Sequence, residues 1–236
     1  MFSPSIAQTS FKEQQKQYPR VRKAYTDKEK TVEKTLSDNN IRVSSLQLYL
    51  RAFKQEQELQ VWAKNKTDEK YTLIKTYAFC SLSGSLGPKR KQGDRQIPEG
   101  FYRIDRLNPY SSFYLSLGVS YPNKSDQILG VKGKLGGDIF IHGDCVTIGC
   151  IPITDDKIKE LYVYCVEAKN SNTTIPITIF PAKLTDRKLQ ELKDKYKGNT
   201  DMLSLWSDLK QAYDYFEQNK RLPSISFLST GRHKVE

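Results

Sequence analysis

The chain has little histidine, little cysteine and no long apolar run. Two histidines and four cysteines are spread over 236 residues, so imidazole and thiol chemistry can arise in only a few places. No stretch approaches the roughly 20 apolar residues needed to cross a bilayer, which excludes a spanning helix from the sequence as given. Neither an internal repeat nor a low-complexity tract is present, which excludes a solenoid. Paired Cys-x-x-Cys elements are also missing, and with them the usual spacing of a zinc site.

Positive charge is what the chain has in excess. Lys and Arg number 38 against 27 Asp and Glu, for a formal charge of +11 and a pI near 9.3. Such a balance favours polyanions, whether nucleic acid, an anionic membrane surface or a carboxylate-rich wall polymer. The 14 tyrosines and 10 phenylalanines fall at strand and helix core spacings rather than beside the lysines, which argues against a nucleic-acid partner. At 27.2 kDa the chain suits one main domain with helical additions. "MFSPSIAQ" (1–8) reads either as the tail of a removed export signal or as an ordinary N-terminus.

Three zones follow from the periodicity. In 1–42, Val21, Tyr25, Val32 and Leu36 lie at spacings of one helical stripe, which predicts an N-terminal helix or pair of helices. In 43–182 the period changes to that of strands: "LQLYLRAFK", "ELQVWAK" and "YTLIKTYAFC", then "FYRI", "FYLSL", "GDIFIHG" and "TIPITIF". In 183–236 the helical period returns, with Leu205, Leu209, Tyr213 and Phe216 on one side and Asp201 near a cap. An α+β fold with helices at both ends is the class these zones imply.

The segment "IHGDCVTIGC" (141–150) concentrates the scarce residues. A metal site is poorly served, because His142, Cys145 and Cys150 have no fourth ligand; no cofactor is expected. Nothing requires a Cys145–Cys150 bridge, and Cys80 and Cys165 lie in apolar runs and read as buried thiols. Nucleophilic catalysis fits better: a strand ending at Gly143 lets the chain turn and return Cys150 beside His142, whose imidazole can take the thiol proton. Gly149 leaves room for close approach. Amides of Thr147, Gly149 and Cys150 are candidate oxyanion donors, and Thr154 is a candidate cap for a helix begun by two aspartates.

At these residues the sequence resembles the L,D-transpeptidase catalytic domain, or YkuD domain, whose pattern is a His-Gly followed by Ser/Thr-x-Gly-Cys. "SGSLGPKRKQGDRQIPEGFYRI" is similar to the family's stretch in which Gly-Asp and Pro-x-Gly precede a strand, and the likeness runs from about Leu46 to Phe180. It implies two mixed sheets packed as a sandwich with a few helices. Cys150 would be the nucleophile, His142 its base, Gly149 and Thr147 the shapers of the oxyanion site, and Gly143 a neighbour of the substrate. The thiolate would attack a carbonyl in a peptidoglycan stem peptide, and the thioester would pass to an amine or to water. The implied location is the periplasm or another extracytoplasmic space. Partners would be stem peptides and, in some members, a protein covalently attached to the wall.

Two departures bear on the second step. Only seven residues separate His142 from Cys150, fewer than in most of the family. Ile148 and Pro152 stand where the wider family has a histidine and an arginine. Both features resemble a short-loop subgroup that includes the YafK-type proteins, some of which look like hydrolases. The readings are therefore transpeptidase, hydrolase with the same site, or a silent wall-binding domain. Lys89 and Arg95 are candidates for substrate carboxylates, Asp94 and Glu99 either fix their loop or touch substrate, and Tyr121 and Pro122 either line the cleft or form a turn. His233, in a polar tail, is expected to be exposed. Oligomeric state is not legible.

Overall fold

The structure, a computed structural model, describes residues 9–236; the export-signal remnant expected at 1–8 lies outside the described residues. Helices α1 (Phe11–Lys16) and α2 (Pro19–Asp38) come first, then strands β1 (Leu46–Phe53), β2 (Glu58–Asn65), β3 (Thr72–Ala78), β4 (Gly100–Asn108) and β5 (Ser116–Val119). After α3 (Lys124–Leu129) come β6 (Phe140–His142), β7 (Ile151–Pro152), α4 (Asp155–Asn170) and β8 (Pro176–Phe180). Helices α5 (Asp186–Lys195) and α6 (Thr200–Asn219) precede a terminal hairpin, β9 (Ile225–Phe227) and β10 (His233–Val235). Among the described residues, no helix is long and apolar enough to cross a membrane.

The strands run in the order β3-β2-β1-β8-β4-β5-β6-β7. Pairing is mixed, parallel at β1–β8 and β6–β7 and antiparallel elsewhere. The two sheets implied by the family likeness are joined here, because β4 serves both: Gly100–Arg103 pair with β8, and Ile104–Asn108 with β5. The sheet curls until its ends meet. The Cys80 amide, just beyond β3, donates to the Pro152 carbonyl of β7 at 3.0 Å, and a Cys80–Cys145 disulfide fastens the junction.

Strand β1 explains the layering. Leu46, Leu48, Leu50 and Ala52 join the main core cluster, whereas Tyr49 and Phe53 pack in two separate clusters formed with α6. A strand buried on both faces needs cover on both, as its near-continuous apolar run indicates. On one side lies α4, buried continuously from Glu160 to Ala168 between the sheet and α1/α2. Such all-round burial is what a helix apolar on every face requires. On the other side α6 brings Trp206, Leu209, Tyr213 and Phe216. Arg51, 1% exposed, is ringed by Phe53, Trp62, Phe180, Tyr213 and Phe216 and reaches Glu217 at 2.7 Å, which pins α6 to the strand.

Three expectations are corrected. Cys80 is not a thiol but half of the bridge to Cys145, leaving Cys150 and Cys165 free. His233 is 6% exposed rather than solvated: it lies between the rings of Phe101 and Phe227, and its amide and ring both meet Asp208 of α6. Thr154 makes no side-chain cap to α4; its φ of 68° turns the chain into the helix, and Asp155 and Asp156 supply the first-turn negative charge.

Candidate active site

Cys150 and His142 are placed by the shortest strands, with Cys150 Sγ 3.6 Å from the Asp138 carbonyl. In the parallel β6–β7 register Ile141 faces Ile151 and His142 faces Pro152. Cys150 is therefore level with Phe140 and on the same side of the pleat as His142. Two glycines make the geometry feasible. At Gly149 φ is 137°, and a side chain would stand 3.1 Å from the Gln96 carbonyl. At Gly143 it would run into Asp155 and stand 2.9 Å from the Phe113 carbonyl. Asp155 accepts the Asp144 amide at 2.8 Å, so the start of α4 holds the His-Gly turn.

His142 is buried and stacked on Phe113, with ring centroids 4.5 Å apart. Its Nδ1 is bonded to the Gly143 carbonyl, which places a proton on Nδ1 and leaves Nε2 as the basic nitrogen. Burial pushes its pKa below the ordinary 6.5, more than the Gly143 carbonyl and Asp144 raise it. Burial likewise pushes the Cys150 thiol up from 9.0, helped by Asp138, while a Phe140 backbone hydrogen bond and the Lys89 charge oppose it. Both shifts favour the uncharged form of the group, thiol and neutral imidazole.

The oxyanion donors differ from expectation. The Thr147 hydroxyl accepts the Gly149 amide at 3.2 Å and the Cys150 amide at 2.9 Å, and donates to the Cys150 carbonyl at 2.8 Å. Both amides are thus occupied by the turn's own hydroxyl, and Thr147 organises the turn.

Cys150 opens on a cleft of about 550 Å³ lined by Lys89, Gln92, Arg95, Asp138, Ile148 and Gly149 among others. Sequence reasoning paired Lys89 with Arg95, and the structure separates them. Lys89 is 5% exposed, with its Nζ on Asp94 at 2.6 Å and on the Lys91 carbonyl. Arg95 is exposed at the cleft wall and forms no ion pair among the described residues. Asp94 and Glu99 fix the loop: Asp94 accepts the amides of Arg90, Lys91 and Gln96, and Glu99 takes Lys54, Trp206 and the Gly87 amide. Tyr121 is buried, and Pro122 lines a separate apolar cavity of about 470 Å³ between the sheet and residues 222–227. Phe113, which stacks on His142, is the residue that sequence reasoning missed; an exposed aromatic in a turn gives no signal of its partner. No three His, Cys, Asp or Glu side chains cluster as metal ligands among the described residues.

A free thiol thus opens on a cleft in a curled mixed sheet, with a buried imidazole on the same side of the neighbouring strand. The family model for the L,D-transpeptidase catalytic domain matches residues 47–179, and the chain belongs to that family. It is 37% identical over 191 residues to a protein of Escherichia coli (strain K12) named "Putative L,D-transpeptidase YafK", covering 80% of this chain and 73% of that one. Among solved structures, the helical cell shape determining protein Pgp2 from Campylobacter jejuni aligns with a TM-score of 0.46 and 17% identity, over 84% of this chain and 80% of that one. L,D-transpeptidase 1 of Mycobacterium tuberculosis aligns with a TM-score of 0.32 and 15% identity, over 57% and 62%.

Proposed function

We propose that the chain is a cysteine-dependent peptidoglycan L,D-transpeptidase that works outside the cytoplasmic membrane through a thioester acyl-enzyme on Cys150. The observation that carries this reading is the β6–β7 register, which sets Cys150 on the pleat face of His142 beside a cleft with the unpaired cation Arg95. His142 Nε2 takes the thiol proton as Sγ attacks a stem-peptide carbonyl, and the imidazolium returns that proton to the departing amine. An amine acceptor then gives its proton to His142, attacks the thioester and frees the thiol, leaving a new amide bond. Lys89 acts on Cys150 through its charge, and Arg95 offers two parallel donors to a substrate carboxylate.

A second reading, hydrolysis at the same site, is favoured by Pro152. Buried in β7, it puts no cation two residues after the proposed nucleophile, where the wider family has an arginine. Water would then resolve the thioester and release a peptide or a wall-attached protein. Incubation with purified sacculi followed by mass spectrometry separates these outcomes. New crosslinks support transfer, released species without crosslinks support hydrolysis, and an unchanged muropeptide profile refutes both.

A further inference from the structure

We infer that the Cys80–Cys145 disulfide positions the nucleophile: closed, it holds the turn bearing Cys150 against the end of β3, and opened by a dithiol reductant, it lets that turn go and silences the site. This inference rests on the reading of Cys150 as nucleophile and His142 as base.

The location of the bridge carries the inference. Cys145 lies three residues after His142 and five before Cys150, and its Cα is 5.3 Å from that of Cys80. The turn has few other ties. Asp144, Cys145, Val146 and Ile148 are all exposed, Ile148 by 79%, so no buried side chain anchors them. The bonds of the Thr147 hydroxyl to Gly149 and Cys150 are internal to the turn. From outside, Asp155 holds Asp144, and Ser83 meets the Thr147 hydroxyl at 3.5 Å, the limit of a hydrogen bond. Strand β7, which follows Cys150 directly, is two residues long, and on its open side, among the described residues, it receives only the Cys80 amide. One residue, Cys80, thus braces the turn covalently and the strand after it by a hydrogen bond.

The bridge lies at the surface beside the cleft. Cys80 is half-buried and Cys145 exposed, and exposed disulfides are the reducible ones. Opening balances as a two-electron exchange. A reductant thiolate attacks Cys145 Sγ and expels Cys80 as a thiolate, which takes a proton. The second reductant thiol then displaces Cys145, and the reductant leaves as a disulfide. The core, built from α4, α6 and the central strands, contributes no residue to this exchange.

The test uses the full chain in three states: oxidised; reduced by dithiothreitol under native conditions and then reoxidised; and with Cys80→Ala and Cys145→Ala together. The double variant is needed because Cys80→Ala alone would leave a free Cys145 thiol able to pair with Cys150. Circular dichroism, turnover on sacculi, and the pH profile of Cys150 alkylation by iodoacetamide, mapped by peptide, are followed. Native circular dichroism is expected throughout, with kcat lower by about 10²-fold in the reduced and double-variant forms. The alkylation midpoint should fall toward that of a free thiol as Sγ leaves its buried place between Asp138 and Lys89, and reoxidation should restore the wild type only. Turnover and midpoint unchanged in the reduced and variant forms would overturn the inference. So would collapse of the circular dichroism in both, since the bridge would then be a fold staple. If the oxidised wild type leaves sacculi untouched, the proposed function fails, while the alkylation profile still decides the role of the bridge.

Discussion

The loop at 84–99 and the turn at 143–150 face each other beside the cleft, and they are held by different forces. The loop is braced by charge pairs, most of them buried: Lys54 on Glu99 at 2.9 Å, Lys89 on Asp94 at 2.6 Å, and Arg90 on Asp126 at 3.0 Å and on the more exposed Asp201 at 2.9 Å. The turn is held by one threonine hydroxyl, Asp155, the Leu115 carbonyl that accepts the Gly143 amide and one disulfide, and presents Val146 and Ile148 to solvent. Ion pairs in low dielectric fix a wall at a high desolvation cost, which suits a surface that must recognise a ligand repeatedly. A short turn with local bonds can shift its amides by small amounts, which would suit the proposed nucleophile. The Thr147 hydroxyl now holding the Gly149 and Cys150 amides is the part of the turn that would have to yield to an oxyanion.

Changes on the two walls should therefore fail in different ways. The largest effects belong to the chemical pair. Cys150→Ala should abolish turnover, and His142→Ala should lower kcat by about 10³-fold, within the range of general-base contributions. In the wild type, kcat/KM should rise with pH through a midpoint below 6.5, because burial lowers the imidazole pKa and only the neutral ring accepts the proton. That limb should vanish in His142→Ala, and a limb above 6.5 would indicate a standing ion pair instead.

On the braced wall, Lys54→Met should cost about 3–5 kcal/mol of stability, since Glu99 would stay buried with its cation gone. Thermal and urea unfolding would read this loss; for molecules that remain folded, kcat should change little. Thr147→Val keeps the shape of the turn but removes the acceptor of two amides, and should cut kcat by about 10²-fold with a small change in melting temperature. The smallest effect is expected at Arg95. Arg95→Ala should raise KM about tenfold and leave kcat and stability nearly unchanged, as loss of one exposed charge-assisted contact implies. A fall in kcat without a change in KM would place Arg95 in the chemistry rather than in binding.

Much of this was legible in the sequence, and the gaps have a common cause. Helix α2 buries Val21, Tyr25, Val32 and Leu36, as the stripe required. Strands β1, β2 and β3 lie in the stretches read for them. Local periodicity reports such elements because one face must be apolar. What stayed hidden depends on residues distant in sequence: Cys80 meets Cys145 across 65 positions, and His233 is buried by Asp208, Phe101 and Phe227. Cys80 ends an apolar run and looked like a packing thiol, since only the curl of the sheet brings it to the active-site turn. Lys89 and Arg95 share one glycine-bearing basic stretch, and composition cannot tell the lysine tied to Asp94 from the arginine left free. Cys150 and His142 lie in one ten-residue segment, so their closeness in the chain was legible.

The central claim is that Cys150 carries the acyl group. Intact-mass measurement after incubation with a carbapenem, an inhibitor class to which the family is typically sensitive, tests it most directly. One covalent adduct, mapped to Cys150, absent from Cys150→Ala and slowed in His142→Ala, is the expected result. An unmodified wild-type protein, or an adduct that persists in Cys150→Ala, would contradict it.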